Sequence, residues 1–278
     1  MRFRRLALAL CALIIAGCGG HAGPPSIAVG STPDPESALI AHLYAAALHF
    51  YGSAAHVESV PDPLDDLDSG AIRVVPGFTG RLLARFDAGA AARSDAQVYR
   101  AMVSALPEGV AAGDYTTSAE DKPAVAVTEA TAKAWGGRDV TAAASNCAKL
   151  SIGAVVGVQN PSAVGTCKLP KPREYPDVAA LFAALRAGQV NAAWATTATP
   201  DIPADLVVLS DKTSLIRAEN LVPLYRRNEL SEQQVLALNE IAGVLDTGSL
   251  ADMRRQVAEG KDPGQVADAW LDAHPLGR

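Results

Sequence analysis

Catalytic signatures are missing from this 278-residue chain. It has no GxSxG elbow, no HExxH helix, no Walker A loop, no CxxC pair and no dinucleotide-binding glycine fingerprint. Nucleophile, zinc, nucleotide and dithiol chemistry of those kinds therefore has no motif to rest on. An excess of basic residues is also lacking: 24 Lys and Arg stand against 30 Asp and Glu, a net charge of −6, which argues against nucleic acid as a partner. Aromatic residues make up only 5%, beside abundant alanine and glycine, a bias that a GC-rich genome produces by itself. After residue 17 no apolar run approaches the ~20 residues that a bilayer span needs. The five histidines offer no metal constellation. His42 and His49 share one predicted helix face two turns apart, about 10 Å, too far to hold one ion. Asp65, Asp66 and Asp68 read as the solvated start of a helix. No cofactor and no metal is implied.

What is present begins at the N-terminus. Arg2, Arg4 and Arg5 precede the apolar stretch Leu6–Ile15, and Ile15-Ala16-Gly17-Cys18 follows. This pattern reads as a bacterial lipoprotein signal over residues 1–17, with Cys18 as the lipidated first residue of the mature chain and 18–25 as a short tether. Two acyl chains at ~0.8 kcal/mol per buried methylene anchor stably where one binds reversibly. The expected location is the extracytoplasmic face of the cell membrane. Cleavage removes three arginines and no acid, taking the charge from −6 to −9 and leaving 261 residues, enough for two compact lobes.

Cys11 leaves with the signal and Cys18 is lipidated, so Cys147 and Cys167 remain in an oxidising compartment and are expected to form a disulfide. The alternative is two free thiols or half a metal site, without a CxxC or a nearby His to support metal.

Patterning predicts alternating strands and helices. Ser26–Gly30 is a first strand. Pro35–Tyr51 is an amphipathic helix capped by Asp34, with Leu39, Ile40, Leu43, Tyr44, Ala47, Leu48 and Tyr51 on one face. Strands His56–Val60 and Ile72–Val75 flank a helix over Leu64–Asp68, and Ser94–Leu106 is a further helix. Beyond Tyr115 come strands Ala124–Thr128, Ser151–Val158, Val190–Ala195 and Leu206–Leu209, with a helix capped by Asp177 and closed by Gly188. The C-terminal third is helical, with a Ser231/Gln234 capping box and a last helix opened by Asp262-Pro263. Small polar residues sit at the strand ends: Ser31 and Thr32 after the first, Phe78-Thr79-Gly80 after the third, and Thr196-Thr197 after Val190–Ala195. In open α/β sheets ligands bind at such ends, and these positions converge if the sheets face one cleft.

Taken in order, these segments resemble the substrate-binding proteins of ABC importers for osmoprotectants, the glycine betaine, choline and carnitine binding family. Val29-Gly30-Ser31-Thr32 with Glu36 is similar to the family's opening Gly-Ser-Lys and acid. Val75-Pro76-Gly77-Phe78-Thr79-Gly80-Arg81 is similar to its Tyr-Pro-Glu-Tyr-Thr-Gly-Thr. Ala187–Asn191, Leu209–Lys212, Glu219–Leu224 and Pro263–Leu271 resemble later family segments in the same order. The resemblance implies an α/β clamshell of the type II periplasmic-binding-protein kind: lobe 1 from 26–116 and 209–278, lobe 2 from 117–208. It implies a small-molecule solute held by closure of the lobes, no enzymatic step, and an ABC permease with its ATPase as partners.

The departures concern the solute. A quaternary ammonium donates no hydrogen bond and needs the negative faces of several aromatic rings. The family supplies tyrosines. Here Val75, Gly77 and Phe78 stand at the Tyr, Glu and Tyr positions, and Thr196 and Thr199 where the second lobe's aromatic and aspartate are expected. Trp194 and Tyr115 are candidate replacements. The expected cleft contacts are Ser31, Thr32, Phe78, Thr79, Tyr115, Thr117, Trp194, Thr196 and Asn220, in a site remodelled for a different or larger solute. The competing expectation is a lipoprotein scaffold that keeps the fold without a ligand and acts in the cell envelope.

Overall fold

The computed structural model describes residues 26–277, so the signal, Cys18 and the tether lie outside the described residues. The first sheet takes β1 (Ile27–Ser31), β2 (Ala55–Ser59), β3 (Val74–Phe78), β4 (Val110–Ala112) and β12 (Leu221–Arg226) in the order β2-β1-β3-β12-β4. The second takes β5 (Pro123–Thr128), β6 (Ile152–Val155), β9 (Arg173–Tyr175), β10 (Ala192–Thr196) and β11 (Leu206–Val208) in the order β11-β5-β10-β6-β9. Each sheet with the helices packed on it is a lobe.

In the first lobe α1 (Pro35–Phe50) is the central helix. Asp34 caps it by accepting from Ser37 N–H, and Pro35 fills the first turn. The expected one-sided face is too narrow, because Leu39 through Leu48 are buried except His42. The reason is the C-terminal third: α8 (Glu232–Val244), α9 (Thr247–Ala258) and α10 (Pro263–Ala273) pack over the side of α1 that turns from the sheet. Ser231 and Gln234 form the capping box of α8, and Asp262 caps α10.

β3 runs further than the expected Ile72–Val75, straight through Pro76. It pairs antiparallel with β12 so that Pro76 lies opposite Pro223. Thr79 N–H donates to Asn220 O three pairs along, which makes Pro76 and Pro223 a non-hydrogen-bonded pair where neither has to donate to the other. Conversely, the expected Ser151–Val158 strand ends at Val155: Gly157 turns at φ 79° and Val156 and Val158 are exposed.

The second lobe adds α5 (Glu129–Trp135), α6 (Val140–Ser145), the hairpin β7 (Ala163–Val164) with β8 (Cys167–Lys168), and α7 (Val178–Arg186), which Asp177 caps and Gly188 follows at φ 69°. Cys147 and Cys167 are joined, with Cα atoms 5.6 Å apart. Replacing both by Ser is expected to lower stability by about 2–3 kcal/mol in urea unfolding, through the larger denatured ensemble. An unchanged midpoint would show that the bridge constrains nothing.

Two chain crossings join the lobes side by side. Thr116–Asp121 runs outward and Arg217–Asn220 returns; Glu120 and Asn220 form an antiparallel bridge, and Asp121 N–H donates to Glu219 O. Leu209, Leu215 and Ile216 pack in the second lobe, and Ala218 in the first.

Candidate functional site

α2 (Pro63–Ser69), α3 (Thr79–Phe86) and α4 (Asp95–Ser104) complete the first lobe, and α3 opens directly from the end of β3. Phe78 at its N-cap position supplies no side-chain cap. The carboxylate of Glu219, from the return crossing, takes that role: Arg81 N–H donates to it at 2.9 Å and Gly80 N–H also donates. The approach requires Gly80, since a Cβ there would lie 2.5 Å from Ala218 O and 2.6 Å from Glu219 Oε1. Burial pushes the Glu219 carboxyl up to about 7, against those two N–H bonds and the attraction of the Arg81 guanidinium.

Arg81 is the centre of the site. Its guanidinium donates to Asp121 at 2.8 Å, lies 3.5 Å from Glu36, and sits 4.6 Å above the centre of the Phe78 ring. Asp121, with only 1% of its side chain exposed, also accepts from Arg254 of α9 at 2.6 Å, and Arg254 reaches Ala198 O in the second lobe. Glu36 lies 3.4 Å from Arg254, and burial raises its carboxyl above the ordinary range, with Arg254 opposing. Two arginines and two carboxylates thus bind α1, α3 and α9 to the outgoing crossing.

Two spaces open beside Arg81. A hollow of about 260 Å³ in the first lobe is bordered by Thr32, Phe78, Ile40, Leu64 and Arg81. A larger cavity of about 870 Å³ lies between the lobes: Arg81, Arg93, Arg217 and Glu219 line it from the first lobe and the return crossing, Asn160 and Thr196 from the second lobe. None of the described residues that line the larger cavity is aromatic.

The expected contacts fall into groups. Thr32 and Phe78 border the hollow and Thr196 the cavity, and Arg81 joins the two spaces. Thr79 and Asn220 meet each other, but as stitching of the crossings: Asn220 N–H donates to Thr79 Oγ1 at 3.1 Å and its amide donates to Thr116 O at 2.8 Å. Ser31 is fully buried at the end of β1, with no partner for its hydroxyl among the described residues. Trp194 is not on the cavity wall. It is 4% exposed and packs with Val125, Val127 and Ile152, because its side of β10 faces the core of the second lobe. Tyr115 and Thr117 also lie away from both spaces, at a separate depression with Tyr99 and Asn239, where the Tyr99 and Tyr115 rings are 4.6 Å apart.

Sequence reasoning missed Arg81, Arg93, Arg217, Asp121 and Arg254. One signal was visible: Arg81 stands where the resembling motif ends in Thr, a charge placed in a segment of small residues.

No curated protein sequence matches this chain. The crystal structure of a glycine betaine/carnitine/choline ABC transporter aligns with a TM-score of 0.73 at 16% identity, over 90% of this chain and 98% of that one. Apo YehZ from Escherichia coli aligns at 0.70 and 20% identity, over 90% and 99%. An ABC-transporter choline binding protein in complex with choline aligns at 0.55 and 14%, over 90% and 89%. These likenesses show a shared fold, the two-lobed type II periplasmic-binding-protein architecture. A family model described as the substrate binding domain of ABC-type glycine betaine transport system matches residues 25–273. The chain, matched over most of its length, belongs to that family of substrate binding domains.

Proposed function

We propose that this protein is an extracytoplasmic solute receptor, lipid-anchored through Cys18, that traps a small dissolved molecule between its lobes and hands it unaltered to an ABC permease and its ATPase. The observation that carries the reading is the cavity of about 870 Å³, whose walls come from both lobes and from the crossings that would bend as they close. The anchor rests on the Arg2-to-Cys18 pattern.

The recognition chemistry differs from an aromatic cage. Phe78 already faces a cation, the guanidinium of Arg81, which two carboxylates hold in place. Val75 is core, and Trp194 is buried against the second lobe's core behind Asn160, Pro161 and Ser162 of the cavity wall. A quaternary ammonium entering here would meet arginines where it needs ring faces.

Ligand-dependent melting tests the receptor reading. Glycine betaine, carnitine, choline and a set of small organic acids are added in turn to the full-length protein, and a bound solute raises Tm in step with RT ln(1 + [L]/Kd), about 2.7 kcal/mol at a hundredfold excess over Kd. At least one is expected to do so. A melting temperature that ignores all of them would end the receptor reading in favour of a ligand-free envelope scaffold.

A further inference from the structure

The wall of the interlobe cavity carries two positive charges, on Arg93 and Arg217, that no carboxylate among the described residues pairs with. Arg93 precedes α4 and Arg217 lies on the return crossing. Their segments are tied to each other: Ala218 N–H donates to Arg93 O at 2.9 Å, and the Arg217 guanidinium donates to Ala90 O. Both side chains line the cavity, and neither has an ion-pair partner among the described residues. Their neighbour Arg81 is different, being balanced by Asp121 and Glu36.

Among the described residues the only carboxylate on the cavity wall belongs to Glu219, which is turned onto the N–H groups of Gly80 and Arg81 and is not free to receive a cation. Across the cavity Asn160, Ser162 and Thr196 add amide and hydroxyl groups able to donate. A chain whose formal charge is −6 has thus placed two guanidinium groups without carboxylate partners among the described residues on the wall of its interlobe cavity. Such a patch concentrates anions against the field of the rest of the surface, and a guanidinium matches a carboxylate, sulfonate or phosphate with paired N–H bonds.

We propose that the solute is recognised through an anionic group, held between Arg93 and Arg217, instead of through a quaternary ammonium. This rests on the receptor reading above and names its solute class. A cation without an acid group, such as choline, finds no counter-charge in the cavity. A molecule carrying an acid group does, whether or not it also has a positive end.

Titration calorimetry of the full-length protein at pH 7 with choline, glycine betaine, succinate, methanesulfonate and inorganic phosphate tests it. Choline and glycine betaine share the trimethylammonium group and differ in the carboxylate. At least one of the four acid-bearing probes is expected to bind with choline silent. Arg93→Ala and Arg217→Ala should each weaken that probe about tenfold or more, and Arg93→Ala should do so with the melting temperature without ligand unchanged. The Arg93 side chain makes no hydrogen bond or ion pair among the described residues, so its loss leaves folding in place, whereas Arg217→Ala also gives up the bond to Ala90 O. Choline binding as tightly as glycine betaine would overturn the inference and leave the receptor reading standing. Acid-bearing probes that bind equally to the wild type and both variants would do the same. Silence of all five probes would count against both.

Discussion

Asp121→Ala is expected to lower the unfolding free energy by about 3–4 kcal/mol, because it leaves two guanidinium groups around one remaining carboxylate. Asp121 is almost fully enclosed and accepts from Arg81 of α3 and Arg254 of α9 at 2.8 and 2.6 Å. Arg81 is half exposed and recovers part of its hydration; Arg254, with 21% of its side chain exposed, recovers less and keeps only Glu36, at 3.4 Å. For a domain of this size the loss corresponds to a fall in Tm of about 10 °C. Asp121→Asn should cost nearly as much, since its amide would turn a donor toward one of two donors. The contrast is Asp205→Ala: that carboxylate pairs with Arg186 on the open surface, and its loss should leave the unfolding curve in place. If Asp121→Ala melts with the wild type, the four-charge cluster does not hold the crossing to the first lobe.

That cluster also shows where the sequence stops being legible. The local signals were strong: Asp34, Asp177 and Asp262 each cap the helix they precede, Ser231 with Gln234 closes the box on α8, and Gly188 takes the left-handed conformation after α7. All are decided within four or five residues, and so is the strand-helix alternation that implies two sheets. α3 was missed because its cap comes from Glu219, 138 residues away from Arg81, so nothing next to Thr79 announces a helix. Pro76 seemed to end β3, since a proline inside a strand removes a donor; its tolerance depends on facing Pro223 in a non-hydrogen-bonded pair, a fact of register.

The same limit governs the site. Thr32, Phe78 and Thr196 were reachable as strand-end residues, and they do border the spaces beside Arg81. Trp194 packs in the second lobe's core behind the cavity wall, and period-2 patterning says which residues of β10 share a face, not which face meets the core. Arg93 and Arg217 sit in irregular segments, in contact only because the return crossing runs beside the approach to α4. A single sequence holds no trace of that adjacency, and it is the adjacency that gives the cavity its charge.

Glu219 supplies the second large effect, a pH dependence of stability opposite to that of an ordinary ion-paired acid. In the unfolded chain its carboxyl titrates near 4.5; in the folded protein burial raises it to about 7. Between those values the native state holds a proton that the unfolded state has released, so stability falls as pH rises from about 4.5 to 7 and is level above. A displacement of this size amounts to about 3 kcal/mol. The groups facing the carboxylate are the N–H of Gly80, the N–H and guanidinium of Arg81, and Asp121; the first three favour the charged form and Asp121 opposes it. Glu219→Gln keeps one acceptor for α3 and cannot ionise. Urea unfolding at pH 5 and pH 8 should therefore show the wild type losing about 2.5 kcal/mol more than the variant across that interval. Equal losses in the two proteins would mean that the helix N-terminus and Arg81 stabilise the charged carboxylate enough to cancel its burial.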